Sequence, residues 1–400
     1  MGSMMDMTVG QAQAVLMMKS ERFVRLAKMF GLERELSIDT PKHGLARVTQ
    51  GAPFPDGSQY RPYESLSQAY IDSSGDEDIR YFGKNFQATQ IAGLPTFENS
   101  LANLCNMLLM RDYAPTNYRW SDLATSITSP RDFRPVSRVR IKYVPDLPDL
   151  TEDQPFPDTA LPPSDDEAVS YSVNEKGAYL IFTRKVIIND EIGAVQRAVE
   201  QLARAASRTL AKRVWNMFIS NATYQPDGLP VFHANHGNLG NAALSAPALT
   251  AARNAIFAQT ESNSTDLLGL GGGPLLLAIP IQLEATALPL NHVHWLELDT
   301  AGATGTPVLN PWIHRFGKGD ENIFSNPLFT DQNDWMLFDI SGNVQVAEVG
   351  FLQGSQNPQI VQSSPYTDSE FTQDRVTYKM RHEYECAILD YRGCYKSVVA

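Results

Sequence analysis

The stretch from Asp190 to Asn221 constrains this chain most, because it reads as one uninterrupted amphipathic helix. Ile192, Val195, Val199, Leu202, Ala206, Leu210, Val214, Met217 and Phe218 recur at three- and four-residue steps, which is helical period. Asn189 or Asp190 suits the N-cap, and Asp190 and Glu191 suit the positive end of the helix dipole. Arg197, Arg204, Arg208, Lys212 and Arg213 populate the polar face, and no Pro or Gly follows Gly193 until Pro226. With 1.5 Å of rise per residue the helix spans about 45 Å, far beyond the roughly 11–12 residues of a mean globular helix. A spine of this length suits a building block better than an enzyme pocket.

Before the spine lies a β-hairpin pattern, residues 136–188. Arg138, Arg140 and Lys142 alternate with Val139, Ile141 and Tyr143, which is strand period. The return strand is expected to carry Val169, Tyr171 and Val173, then Asn174 to Gly177, then Ala178 to Ile188. Between the strands, residues 145–167 hold six prolines and eight carboxylates with no cation. Prolines block ladder pairing and like charges keep such a tip extended. The basic strand before it offers a partner, in the same subunit or in the next.

Hydrophobic content of 43% and charged content of 20% describe a chain able to bury a large core. The net charge of −12 argues against direct gripping of nucleic acid, which needs clustered cations. It is compatible with a protein that surrounds DNA without binding it tightly. Cys105, Cys386 and Cys394 are too few and too scattered for a disulfide framework or a zinc site. No run of eighteen apolar residues is present, so no transmembrane helix is expected, and the first six residues lack the features of a signal peptide. Production and use in a cytoplasm are the expectation.

Residues 1–90 read as an arm. An amphipathic segment, Thr8 to Phe30, precedes a Pro- and Gly-rich stretch with little periodicity, which needs another surface to order it. Residues 96–112 form a second helix signal. Beyond the spine, helical and strand patterns alternate: a helix over residues 246–262, a buried strand over 275–279, a helix opened by Pro280, and strands over 335–340 and 344–351. Three runs, 375–381, 386–389 and 394–399, are expected to complete a small antiparallel sheet.

The candidate chemistry is thin. His233 and His236 sit in Phe232-His233-Ala234-Asn235-His236-Gly237-Asn238, but without the helical spacing or the adjacent Glu of a zinc hydrolase. His292 and His294 flank Val293 on one face of a strand or turn. Gly269-Leu270-Gly271-Gly272-Gly273-Pro274 lacks the Gly-Lys-Ser/Thr ending of a phosphate loop and reads as a flexible connection. No catalytic, cofactor-binding or metal-ligating residue is assigned.

Several segments together resemble the major capsid proteins of tailed bacteriophages, the Hong Kong 97-type family. They are Phe232 to Leu239, the Ala- and Leu-rich helix after it, and Leu275 to Pro280 leading into Leu283-Glu284-Ala285. Phe182 to Asp190 at the hairpin-to-spine junction, Arg375 to His382, Ile388-Leu389-Asp390 and Arg392 to Lys396 complete the set, with Trp120 and Asp132-Phe133 before the hairpin. The resemblance covers roughly residues 96–400 and leaves out the arm.

That resemblance implies an α+β Hong Kong 97-type capsid fold. Its parts would be an N-terminal arm (1–90), a peripheral domain (91–134 with the spine, 186–222, and a sheet, 356–400), an extended loop (135–185) and a mixed α/β axial domain (223–355). It implies a non-enzymatic head protein, without cofactor, that closes into pentamers and hexamers of an icosahedral shell around double-stranded DNA. Portal, scaffold and cement or decoration proteins are its expected partners, with no membrane partner, and the virion, assembled in the host cytoplasm, is its expected place. Rival readings are a metal-dependent hydrolase using His233 and His236, and a nonviral encapsulating shell protein of the same fold. Some family members crosslink through a loop Lys; here Lys142, Lys176 and Lys185 are not at the tip, so the crosslink is not carried over. Expected contacts between subunits are Leu147, Leu150, Phe156 and Leu161 as apolar anchors, Arg138, Arg140 and Lys142 on the basic strand, and Arg204, Arg208 and Lys212 on the spine.

Overall fold

In the computed structural model the described residues are 21–29, 65–74, 97–113, 118–141, 163–189, 192–261, 265–297, 307–362 and 375–399. Helices α1 (Glu21–Met29), α2 (Leu66–Ser74), α3 (Phe97–Tyr113) and α4 (Trp120–Leu123) come first. Strands β1 (Ser126–Thr128), β2 (Val136–Ile141), β3 (Pro163–Tyr171) and β4 (Asn174–Thr183) follow, then α5 (Arg184–Ile188) and α6 (Ile192–Ile219). Next are β5 (Leu239–Gly240), α7 (Ala246–Phe257), β6 (Leu275–Ile279), α8 (Glu284–His292), β7 (Trp295–Glu297), β8 (Pro307–Leu309) and β9 (Ile323–Ser325). Strands β10 (Trp335–Asp339), β11 (Ala347–Phe351), β12 (Gln359–Gln362), β13 (Arg375–Ile388) and β14 (Cys394–Ser397) close the chain.

The spine forms as its periodicity requires. At 28 residues α6 is about 42 Å long, and its apolar stripe feeds two cores. Val195, Val199, Ala203 and Ala206 enter one, while Leu210, Ala211, Val214, Trp215 and Phe218 enter the other. The C-terminal end is held by chemistry from far along the sequence. The buried Lys396 ammonium donates to the Ile219 carbonyl at 3.1 Å, where a cation complements the helix dipole, and pairs with Asp334 at 3.4 Å. Asn221 then takes a left-handed conformation (φ 53°), and its amide exchanges two hydrogen bonds with the Phe232 backbone.

The chain divides into two compact units. The first comprises Met1–Thr116, Glu175–Ser207 and Gln356–Glu383. Its core joins α3 (Leu101, Leu104, Cys105, Leu108, Leu109) to the first half of α6, to Leu180 and Phe182 of β4, and to Tyr378 and Met380 of β13. Leu26 and Ala27 of α1 and Ala69 and Tyr70 of α2 belong to the same core. These two pieces of the arm therefore take the surface that orders them from their own chain. The rest of the Thr8–Phe30 segment lies outside the described residues, apart from α1. α2 escapes a periodicity reading because nine residues with Ala69 and Tyr70 buried side by side make no stripe. In this unit β13 pairs with both β12 and β4. A Cβ at Gly177 would stand 2.5 Å from the Met380 carbonyl oxygen, so the approach of β4 to β13 requires glycine.

The second unit comprises Asn117–Asn174, Arg208–Ser355 and Tyr384–Ala400. Its main sheet runs β5-β14-β10-β6-β9. Every residue of β6 and β10 is buried, as continuous apolar runs predict. α7 starts where the Ser245 hydroxyl accepts from the Ala248 amide, and buries Leu249, Ala252 and Ile256 beside Leu275 and Leu277. The chain after Pro280 makes a short 3-10 turn before α8. Elsewhere in this unit β1 runs parallel to β11, and β11 antiparallel to the 384–388 end of β13.

Two strand partners differ from expectation. β2 pairs with β3, from Val136↔Tyr171 to Ile141↔Pro163, with an irregularity near residue 140. Residues 174–183, read as the far end of the return strand, instead pair with β13. Residues 163–167 looked like loop because Pro, Asp and Ser are poor strand formers, yet the register with β2 runs on to Ile141↔Pro163. The C-terminal runs also separate. Residues 375–388 form one continuous strand, since Tyr378, Met380, His382 and Tyr384 keep facing inward, and β14 leaves for β10 and β5.

Candidate assembly surface

The root of the β2–β3 hairpin is built around a carboxylate. Glu348, in the middle of β11, is 1% exposed. Arg138 of β2 donates its Nε–H to it at 2.9 Å, and the Tyr171 hydroxyl of β3 donates at 2.5 Å. Ser126 and Thr128 of β1 donate at 3.0 Å each. Burial alone would raise the Glu348 pKa, but these four hydrogen bonds together outweigh it and hold the group below its ordinary value. Burial, reinforced by the bond to Glu348, raises the Tyr171 phenol, and the same carboxylate raises the Arg138 guanidinium. Four strands thus meet at one anion that accepts from four donors. Arg138 keeps 41% of its side chain exposed, beside a cleft of about 500 Å³ that Ser126, Val169 and Glu348 also line.

A second carboxylate holds the chain just past the hairpin. Glu385 of β13 is 6% exposed; it accepts from Arg213 of α6 at 2.5 Å and from the Asn174 amide at 2.7 Å. The bond to Glu385 raises the Arg213 pKa. Sequence reasoning missed Glu348 and Glu385. The available signal was a lone carboxylate inside an apolar strand run, Val346-Ala347-Glu348-Val349 and Tyr384-Glu385-Cys386-Ala387. Such a group is buried only with partners.

Of the expected contact residues, Arg138 lies in this root, and Arg140 lies in β2. Lys142, Leu147, Leu150, Phe156 and Leu161 lie outside the described residues. Arg204, Arg208 and Lys212 are exposed on α6, one helical turn apart. None of the three has an ion-pair partner among the described residues.

The other motifs prove to be structural. His236 is 6% exposed, with Nδ1 against the Val231 carbonyl at 2.9 Å and Nε2 against the Asp227 carboxylate at 2.6 Å, and its ring stacks on Tyr391 at 3.8 Å. His233 Nδ1 accepts from the Asn235 amide at 3.1 Å, and Asn238 bridges the His233 amide and the Val231 carbonyl. With those ring nitrogens committed to the loop, the pair is not arranged as a hydrolase metal site. Among the described residues no group of three or more His, Cys, Asp or Glu could hold a metal ion.

The glycine loop is not the flexible connection expected of it. Its carbonyls meet cations, with Arg253 Nε donating to Gly271 O at 2.8 Å and Arg315 Nη2 to Gly272 O at 2.9 Å, while the Gly271 amide is taken by the Asp339 carboxylate. A phosphate cradle needs the opposite polarity. Among the described residues no helix is long and apolar enough to cross a membrane. Cys105, Cys386 and Cys394 are buried free thiols, and burial pushes the Cys105 thiol up to about 12.

Solved structures overlap the chain at low identity. A virus-like particle protein from Pyrococcus furiosus has 13% identity and a TM-score of 0.42, covering 74% of this chain and 99% of its own. A chain from Gordonia phage Cozz has 14% identity and a TM-score of 0.41, covering 71% and 87%. The SrpI encapsulin of Synechococcus elongatus has 10% identity and a TM-score of 0.41, covering 71% and 87%. No curated protein matches the sequence. A family model described as phage capsid protein matches residues 166–397, more than half of the chain and from β3 to the last strand, and the chain therefore belongs to the phage capsid protein family.

Proposed function

We propose that this protein is the major head protein of a tailed bacteriophage, with a Hong Kong 97-type fold, and acts by assembly and not by catalysis. Copies would close into pentamers and hexamers of an icosahedral shell around packaged double-stranded DNA. The family match over residues 166–397 carries the reading. In it, residues 1–90 are the arm, 135–185 the extended loop over a neighbouring copy, α6 the spine of the peripheral domain and 223–355 the axial domain. Leu147, Leu150, Phe156 and Leu161 serve as anchors on that neighbour. Arg204, Arg208 and Lys212 pair with its carboxylates, and Arg140 and Lys142 extend the same charge pairing at the loop. Portal, scaffold and decoration proteins are the partners in the host cytoplasm. The net charge of −12 per copy leaves the packaged DNA loosely held.

Negative-stain microscopy of the purified protein tests this reading: closed shells of uniform size are expected, and a monomer that never assembles overturns it. The contents of particles from a producing culture separate a phage head, which holds double-stranded DNA, from a protein-filled compartment. Mass spectrometry of those particles checks the arm: a chain start beyond residue 90 would show that it is removed.

A further inference from the structure

The strongest feature that the assembly reading leaves unused is a pair of arginines at the glycine loop. Gly271 sits at φ +74°, where a Cβ would crowd the Arg253 carbonyl at 3.3 Å. That conformation turns three successive carbonyls toward Arg253 of α7 and toward Arg315 in the turn after β8. Arg315 Nη2 reaches Gly271 O at 3.2 Å, Gly272 O at 2.9 Å and Gly273 O at 3.4 Å, while Arg253 Nε donates to Gly271 O at 2.8 Å. Both side chains are half-buried.

What the pair lacks is a counter-charge. Among the described residues neither guanidinium has a carboxylate within ion-pairing distance. The nearby Asp339 is committed to the loop, accepting from the Gly271 amide at 2.5 Å and from the Ser341 amide at 2.8 Å. Two cations therefore share one carbonyl cradle, and among the described residues the carboxylate whose charge favours Arg315 is Asp339, in a chain with 45 acidic and 33 basic residues. The cradle fixes both side chains before any partner arrives, which removes most of the ordering cost of an ion pair. A planar guanidinium fork matches a carboxylate bidentately.

We infer that Arg253 and Arg315 form a preset docking point for a carboxylate of a second copy of this chain. The inference rests on the shell reading and adds a named contact to it. A phosphate of nucleic acid is the competing occupant, disfavoured by the acidity of the chain.

Two variants test it. Arg253→Gln with Arg315→Gln keeps amide donors for the loop carbonyls and removes both charges. A cooperative melt near that of the parent is expected, with the critical concentration for shell assembly raised about two- to five-fold, the range that a partly exposed ion pair supplies. A folded variant that assembles at the parent's concentration overturns the inference. Arg253→Lys with Arg315→Lys keeps the charges and supplies amines. Carbodiimide treatment of particles assembled from mixed light and heavy isotope-labelled copies should then join residue 253 or 315 to an Asp or Glu of a different copy. Coupling confined to one copy, or none at either position while other lysines couple, overturns it. So does DNA retention by the parent particles that the glutamine variant loses. If the parent forms no particles, the shell reading fails, and this contact with it.

Discussion

The hairpin root and the outer face of α6 use similar charges in opposite ways. At the root, Arg138 and Glu348 are joined at 2.9 Å with three hydroxyl donors closing the carboxylate from water. On the helix, Arg204, Arg208 and Lys212 stand in solvent without an ion-pair partner among the described residues. A desolvated carboxylate with four donors is costly to disturb, because any single loss leaves buried groups unsatisfied. A solvated cation is worth little to its own fold. The contrast assigns the root to holding the strands of one chain in register, and leaves the helix face available to another molecule.

The largest test removes residues 146–162. Because β3 begins at Pro163, deletion of residues 146–162 spares both strands of the root. The variant should fold, with a cooperative melt and parent-like circular dichroism, yet form no stable closed shells. Normal assembly at unchanged thermal stability would make the loop decoration and remove its proposed anchoring role between copies.

Glu348→Ala should be next. It removes the acceptor shared by the Tyr171, Ser126 and Thr128 hydroxyls, of which Tyr171 and Thr128 keep each other at 2.7 Å, while half-exposed Arg138 can rehydrate, so a loss of about 2–4 kcal/mol is expected in denaturant unfolding. A loss below about 1 kcal/mol would place the root with ordinary surface pairs.

Acid should separate the root from the other unit. His382 is buried, and burial lowers its pKa to about 4 against the support of the Gln356 carbonyl at 3.0 Å. The unfolded imidazole takes its proton near 6.5 and the folded one near 4, so this stability is whole above 6.5 and declines as pH falls through that window. The loss is on the order of 3 kcal/mol, and His382→Gln should flatten it. Glu348 acts lower. Its folded pKa lies below the free value of 4.5, so its contribution is full above 4.5 and is lost as pH falls through the folded value. Melting curves of Glu348→Gln should lose that last, acid-side decline and keep the one from His382.

The smallest effect on folding belongs to the helix face. Arg208→Gln with Lys212→Gln should change unfolding free energy by less than about 0.5 kcal/mol, while weakening assembly more at low salt than at high salt. Equal assembly at all salt concentrations would deny the face any role between copies.

Much of the architecture was readable from local pattern. α6, α3, β6 and β10 stand within a few residues of their expected ends, because a helical stripe or an all-apolar run reports burial of its own segment. The loop character of Phe232 to Asn238 also followed from its Gly and Asn content. Other features gave no such signal. α2 is too short to show a stripe, and the acidic strand β3 resembles a turn. Arg138 was marked for its place in a basic strand, not for a partner 210 residues away.

Sequence by itself therefore determined which segments are helix or strand and which faces of them are apolar, since φ/ψ preference and side-chain period are properties of neighbouring residues. Tertiary structure decided which strand pairs with which. β4 and β14 could have joined more than one sheet, and the choice rested on close approach at Gly177 and on the buried Lys396 spanning Ile219 and Asp334. It also decided that Glu348 and Glu385 are buried. A carboxylate leaves water only where several donors converge, and here those donors come from strands and a helix far apart in the chain.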